Sequence, residues 1–109
     1  LLFLRRLPRD IQQDKMMELD RAFGFTSTGN SEIAAEWFVL SISVGYEAVN
    51  EEVEAFLISV GRRKFLVPIY RALSEAEPEM VRAKAIYQKA RPNYHSVSTN
   101  TLDDMLQLN

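Results

Sequence analysis

At 109 residues with a formal net charge of −2, the chain has the length of one domain, able to bury roughly 65% of its unfolded surface in a single core. Hydrophobic residues make up 47% and charged residues 26%, the balance of an ordinary soluble globular protein, and no basic excess exists to support general nucleic-acid binding. There are no cysteines, which excludes disulfides and thiolate zinc sites, and no apolar run is long enough to cross a bilayer.

The opening LLFLRRLPRD has an apolar run of only four residues and no small-residue cleavage site, so it does not read as a targeting segment. It lacks an initiator Met and starts in mid-pattern at Leu1-Leu2-Phe3-Leu4, as the tail of a helix from a longer protein would. After Leu7-Pro8, Asp10 is placed to cap a helix to about Phe23, with Met16, Leu19 and Phe23 on one side and Gly24 as its stop. The polar TSTGN loop follows, and Asn30 or Ser31 caps a helix over residues 31–44. Ile33, Trp37, Leu40 and Val44 recur there at helical spacing. Phe38, Val39 and Ile42 widen the apolar face, which predicts a central helix packed on more than one side.

From Asn50, read as a cap, Val53, Phe56, Leu57 and Val60 form a stripe that stops at Gly61. Glu51, Glu52 and Glu54 follow the cap, where the helix dipole favours carboxylates and accounts for them without acid–base chemistry. Phe65, Ile69 and Leu73 make the next stripe. Pro68 is harmless only in a first turn, so that helix is expected to begin near Arg63 to Phe65. Pro78 opens another helix, with Met80, Ala83, Tyr87 and Ala90 aligned, and Arg91-Pro92 closes it. A last segment holds Leu102, Met105 and Leu106 behind Thr99 or Asn100 as cap. The expectation is an all-α domain, an irregular α-solenoid of the HEAT or armadillo kind with about six antiparallel helices.

Catalytic constellations are scarce. His95 is the only histidine, too few for the imidazoles of a catalytic zinc site. A triad of His95 with Ser96 or Ser98 and Asp103 lacks a strained nucleophile turn and a Gly-rich oxyanion hole, so His95 reads as a partly exposed turn residue. Trp37 and Phe38 read as core, and the four glycines stand singly, leaving no phosphate loop.

The sharper signal is Arg62-Arg63-Lys64 within SVGRRKFLVPIY, where three cations crowd the positive end of a helix that normally collects Asp and Glu. Two readings stand side by side. In one, the cations follow the C-terminus of the preceding helix and extend harmlessly into water. In the other, they join free N–H groups at the second helix start to form an anion site sized for one carboxylate or one phosphate. Arg62 and Lys64, two apart, then point the same way while Arg63 points elsewhere.

NSEIAAEWFVL (Asn30 to Leu40), GRRKF (Gly61 to Phe65), PIYRAL and IYQKARPNYHSV resemble, in order and spacing, the C-terminal helical domain of the leukotriene A(4) hydrolase family of gluzincin-type zinc aminopeptidases. The resemblance runs from about Leu7 to His95 and is strongest where N-S-E-I with Trp and G-R-x-K-F occur together. It implies that residues 1–109 form one C-terminal α-helical domain of a larger enzyme with an N-terminal β domain and a central zinc domain, both absent from this chain. It further implies that the domain closes one side of the substrate cleft, that Arg62 holds the free C-terminal carboxylate of a peptide substrate, and that Lys64 assists. Arg63 falls on the variable position and carries no role. Zinc, its H-E-x-x-H ligands, the glutamate base and a transition-state tyrosine belong to the parent upstream. The fragment alone is therefore expected to bind no zinc and to be inactive. The implied partners are the peptide carboxylate and the catalytic domain of the same polypeptide, with no nucleic acid or membrane, and the cysteine-free composition points to the cytoplasm. The alternative is a non-enzymatic helical-repeat module that binds a protein along a concave face.

Overall fold

Polar caps and left-handed glycines divide the chain into helices. The computed structural model describes residues 13–77 and 79–106, Ser27 by its backbone alone. Every regular element among them is helical, with six α-helices, three short 3-10 turns in the connections between them and no strand. The expected features at Leu1 to Leu4, Leu7-Pro8, Asp10 and Pro78 lie outside the described residues.

Helix α1 (Gln13–Phe23) buries Met16 and Leu19 and stops at Gly24, which takes the left-handed conformation at φ 64°. Phe23, expected on the buried side, is 61% exposed. The glycine turns the chain into a 3-10 turn, Phe25–Ser27, which delivers Phe25 instead to Trp37 at a ring separation of 5.0 Å. Asp20 fixes that turn by accepting from the Thr26 N–H at 2.8 Å and the Thr26 hydroxyl at 2.6 Å. Thr26 Oγ1 in turn accepts the indole N–H of the fully buried Trp37 at 2.9 Å, so the core tryptophan keeps a hydrogen-bond partner.

Helix α2 (Ser31–Val44) occupies the span read from the sequence, because both ends carry strong signals. The Asn30 side chain accepts from the N–H groups of Glu32 and Ile33, and Gly45 closes the helix at φ 75°. Ala34, Ala35, Trp37, Phe38, Leu40, Ser41 and Ile42 are all buried, so the helix is enclosed on several sides.

Helix α3 (Asn50–Ser59) follows a 3-10 turn, Glu47–Val49, which moves the cap position to Val49 and makes Asn50 the first helical residue instead of the cap. Its end also differs from expectation. Val60 and Arg62 are extended, and Gly61 is not among the glycines at positive φ, so an extended linker ends the helix instead of a left-handed glycine. Glu51 and Glu52 stand in the first turn, whereas Glu54 pairs with Lys89 at 3.2 Å and ties α3 to the fifth helix.

Helix α4 (Arg63–Ala76) begins at the earliest start expected from Pro68, which lies inside it on the exposed face. Helix α5 (Val81–Ala90) begins three residues beyond Pro78, after Met80 in the left-handed conformation at φ 56°. Glu77 Oε1 accepts the Arg82 N–H at 2.8 Å and supplies the carboxylate that its first turn lacks. Helix α6 (Ser96–Met105) starts earlier than the expected Thr99 or Asn100 cap. Ser98, Thr99 and Leu102 are buried there, so packing overrides the low helix propensity of the Ser/Thr-rich run.

Alternate helices make the main contacts: α2 packs on α4 and α4 on α6, while α3 packs on α5. Tyr70, Tyr87 and Tyr94 join these rows, with Tyr70 and Tyr87 edge to face at 5.8 Å. The Tyr94 hydroxyl donates to the Leu57 carbonyl at the end of α3 and accepts from Tyr70 Oη at 3.1 Å. That contact brings the segment before α6 against the end of α3, beside the cationic turn.

Candidate functional site: a cationic turn between two helix starts

The turn is built by a short extended linker. Val60 leaves α3 extended, Arg62 takes the N-cap position of α4, and its carbonyl accepts from the N–H groups of Phe65 and Leu66 at 3.0 and 3.1 Å. No side chain caps this helix and no carboxylate stands in its first turn. Among the described residues the N–H groups of Arg63 and Lys64 have no acceptor. Such N–H groups at the positive end of a helix dipole are suited to an anion.

The three cations divide. The Arg62 guanidinium lies 5.9 Å and the Lys64 ammonium 5.0 Å from the centroid of the Phe65 ring. Phe65 is itself buried and backed edge to face by Phe56, which is backed in the same way by Phe38. The two cations thus share an aromatic platform rooted in the core. Arg63 points away and donates from Nε to Thr101 Oγ1 on α6 at 3.0 Å. Lys64 also pairs with Glu32 of α2 at 3.1 Å, whereas no carboxylate pairs with Arg62 among the described residues.

The start of α6 faces this turn. An open depression of about 550 Å³ is lined by Gly61, Arg62, Arg63 and Lys64 on one side and by Asn93, His95, Val97 and Ser98 on the other. No carboxylate lines it. His95, a turn residue by sequence, is the N-cap of α6 and comes beside the cations through the fold. Its closeness to them has no local sequence signal, since the two segments meet only through tertiary packing. A triad is not assembled, because Asp103 binds elsewhere. Arg91 holds it from Nη2 at 3.0 Å, and Tyr87 Oη approaches its other oxygen at 2.5 Å. The Arg91 guanidinium and then the Tyr87 hydroxyl hold Asp103 below the usual carboxylate range. Burial, followed by the hydrogen bond to Asp103, pushes Tyr87 up to about 12.

A separate cavity of about 330 Å³ lies near Ser41 and Arg82, but Glu47 and Glu77 also line it, so it lacks the cationic character of the turn. Among the described residues no group of three or more His, Cys, Asp or Glu side chains could hold a metal ion, and no helix is long and apolar enough to cross a membrane. Such a group is what a catalytic zinc needs, three protein ligands around an open position, and the described residues do not assemble one.

Comparison with known proteins places the chain. It is 29% identical over 85 residues to leucine aminopeptidase 2 of Yarrowia lipolytica, covering 78% of this chain and 13% of that protein. It is 30% identical over 90 residues to leucine aminopeptidase 2 of Ajellomyces capsulatus, covering 83% of this chain and 14% of that protein. The same-named protein of Aspergillus terreus is 30% identical over 97 residues, with 89% of this chain and 15% of that protein covered. The sequence model for leukotriene A4 hydrolase, C-terminal, matches residues 1–106, and on that match the chain belongs to the leukotriene A4 hydrolase C-terminal family.

Proposed function

We propose that residues 1–109 are the C-terminal helical domain of a zinc-dependent aminopeptidase, closing one side of its substrate cleft, and that Arg62 anchors the C-terminal carboxylate of a peptide substrate with help from Lys64. The observation that carries the reading is the convergence of Arg62 and Lys64 on one ring at an uncapped helix start. Arg62 is the main anchor, since its guanidinium has no carboxylate partner among the described residues and can bond a carboxylate through two parallel N–H groups. Lys64 adds a compact charge while partly engaged by Glu32. The names of the relatives support an aminopeptidase. Zinc and the groups that act on the scissile bond belong to the catalytic domain of the same polypeptide, which is the partner of this domain. A cytoplasmic setting rests on the cysteine-free composition.

Holding the far end of the peptide sets its register against the reacting centre, a positioning contribution to catalysis. In the full-length polypeptide, Arg62→Ala is expected to lower kcat/KM for tripeptides with free C-termini by roughly ten- to a hundred-fold. Small aminoacyl amides, which have no carboxylate, are expected to be cleaved as before. Equal losses on both substrate types would remove Arg62 from the recognition role.

A further inference from the structure

One cavity gathers the unsatisfied polar groups of the interior. Among the described residues, the buried side-chain atoms without a hydrogen-bond partner are the Ser41 hydroxyl and Arg82 Nη2, and both residues line the cavity of about 330 Å³. Ser41 is 0% exposed and belongs to the last turns of α2, whereas Arg82 belongs to the first turn of α5, so only the fold brings them to one space. A buried polar group left unpaired costs its desolvation penalty, and a charged one costs more. Ordered water would satisfy the hydroxyl, but it carries no charge to offset the guanidinium.

The rest of the lining has the opposite sign. Glu47 and Glu77 stand around the same cavity, yet neither forms an ion pair with Arg82 among the described residues. Glu77 is held instead by the Arg82 backbone N–H at 2.8 Å, which fixes its carboxylate at the start of α5. The last turns of α2 and α4 also reach the cavity, through Ile42 and through Leu73 and Ala76, and neither carries a cation. Helix C-termini and carboxylates both favour a positive charge. The volume lies at the lower end of the roughly 300–1,000 Å³ of small-molecule sites, which limits the ligand to a small one.

We propose that this cavity binds a free α-amino acid with an aliphatic side chain. Arg82 and the Ser41 hydroxyl take its carboxylate, a group that a guanidinium can bond through two parallel N–H groups. Glu47 and Glu77, with the negative ends of α2 and α4, take its ammonium. Ile42, Leu73 and Ala76 supply the apolar surface for its side chain. A dianion would be repelled by the two acids, and a simple cation would leave Arg82 unpaired, so a zwitterion is the charge pattern that answers both. The site goes beyond the anchoring reading of Arg62 and does not depend on it.

The test is calorimetric titration of the full-length polypeptide with L-leucine to millimolar concentration. The wild type is expected to bind it, and Arg82→Met, which keeps an unbranched apolar stem, to weaken binding by about ten- to a hundred-fold. Ser41→Ala removes a hydroxyl that has no partner in the free protein, so folding is not put at risk, and is expected to weaken binding about five-fold. Isocaproate, which is L-leucine without the ammonium, and isoamylamine, which lacks the carboxylate, are each expected to bind about ten-fold less tightly. Absence of L-leucine binding overturns the site. Binding that Ser41→Ala and Arg82→Met both leave unchanged also overturns it, because the leucine then sits elsewhere on the polypeptide. Should Arg82→Met fail to fold, Ser41→Ala and the two analogues decide. An analogue that binds as tightly as L-leucine overturns the zwitterion assignment.

Discussion

Lys64 is held by two neighbours of opposite character, the Phe65 ring at 5.0 Å and the Glu32 carboxylate at 3.1 Å. The ring leaves the ammonium free to accept a further anion, while the carboxylate competes with one. Both members of the ion pair are about half exposed, so the pair itself adds little to stability, on the order of 0–1 kcal/mol. Its larger effect is on the availability of Lys64. In the full-length polypeptide, Glu32→Gln is expected to raise kcat/KM for free-carboxylate tripeptides about two- to five-fold and to leave aminoacyl amides unaffected, in line with the worth of one exposed ion pair. A decrease confined to the tripeptides would mean instead that Glu32 positions the lysine. The arrangement of Arg62 and Lys64 was legible in the i, i+2 spacing at a helix start. The partnership of Lys64 with Glu32 was not, because it joins residues 32 apart in sequence and depends on the packing of α2 against α4.

At the scale of elements, local signals set α2 and tertiary contacts set α6. Asn30 and Gly45 bracket α2, so both of its ends could be read. In α6 the run Ser96 to Thr101 favours turns when taken alone, but Ser98 and Thr99 are buried, and Thr99 Oγ1 turns its hydrogen bond back to the Ser96 carbonyl. Helix α6 is further pinned by Asp103 between Arg91 and Tyr87. The raised Tyr87 pKa means that the folded chain holds this proton more tightly than the unfolded chain does. Its contribution to stability is complete below the ordinary value of 10.0 and is lost as pH climbs through about 12. The lowered Asp103 pKa works in the opposite direction: its contribution is present above the ordinary carboxylate range and is lost as pH falls through the depressed value. Denaturant midpoints measured across the alkaline window should therefore fall more steeply for the wild type than for Tyr87→Phe, which cannot ionise there. Parallel curves would show that Tyr87 titrates as it does in the unfolded chain.

On the scale of the whole molecule, one continuous apolar cluster runs from Met16 on α1 to Leu106 after α6 and includes side chains from every helix. The radius of gyration is 13.5 Å, close to the roughly 13 Å of a compact chain of 100 residues. Large apolar side chains left exposed include Met17, Phe23, Val81 and Val97, while Trp37, Tyr70, Tyr87 and Phe38 are all enclosed. A domain that closes its own core does not need the rest of a polypeptide to fold, even where it lends a surface to a neighbour. The 109-residue chain is therefore expected to unfold in urea in one cooperative transition, with a slope of about 1–3 kcal/mol/M. Far-ultraviolet circular dichroism and Trp37 fluorescence should report the same midpoint, because Trp37 is joined to the core by α2 and to α1 by the Thr26–Asp20 hydrogen bonds. Coincident transitions would mean that the Phe65 platform and the cations above it are organised before any substrate or catalytic domain is present. Separate transitions would mean that the α4 and α6 starts take their positions only when covered, and that anion recognition is assembled by docking.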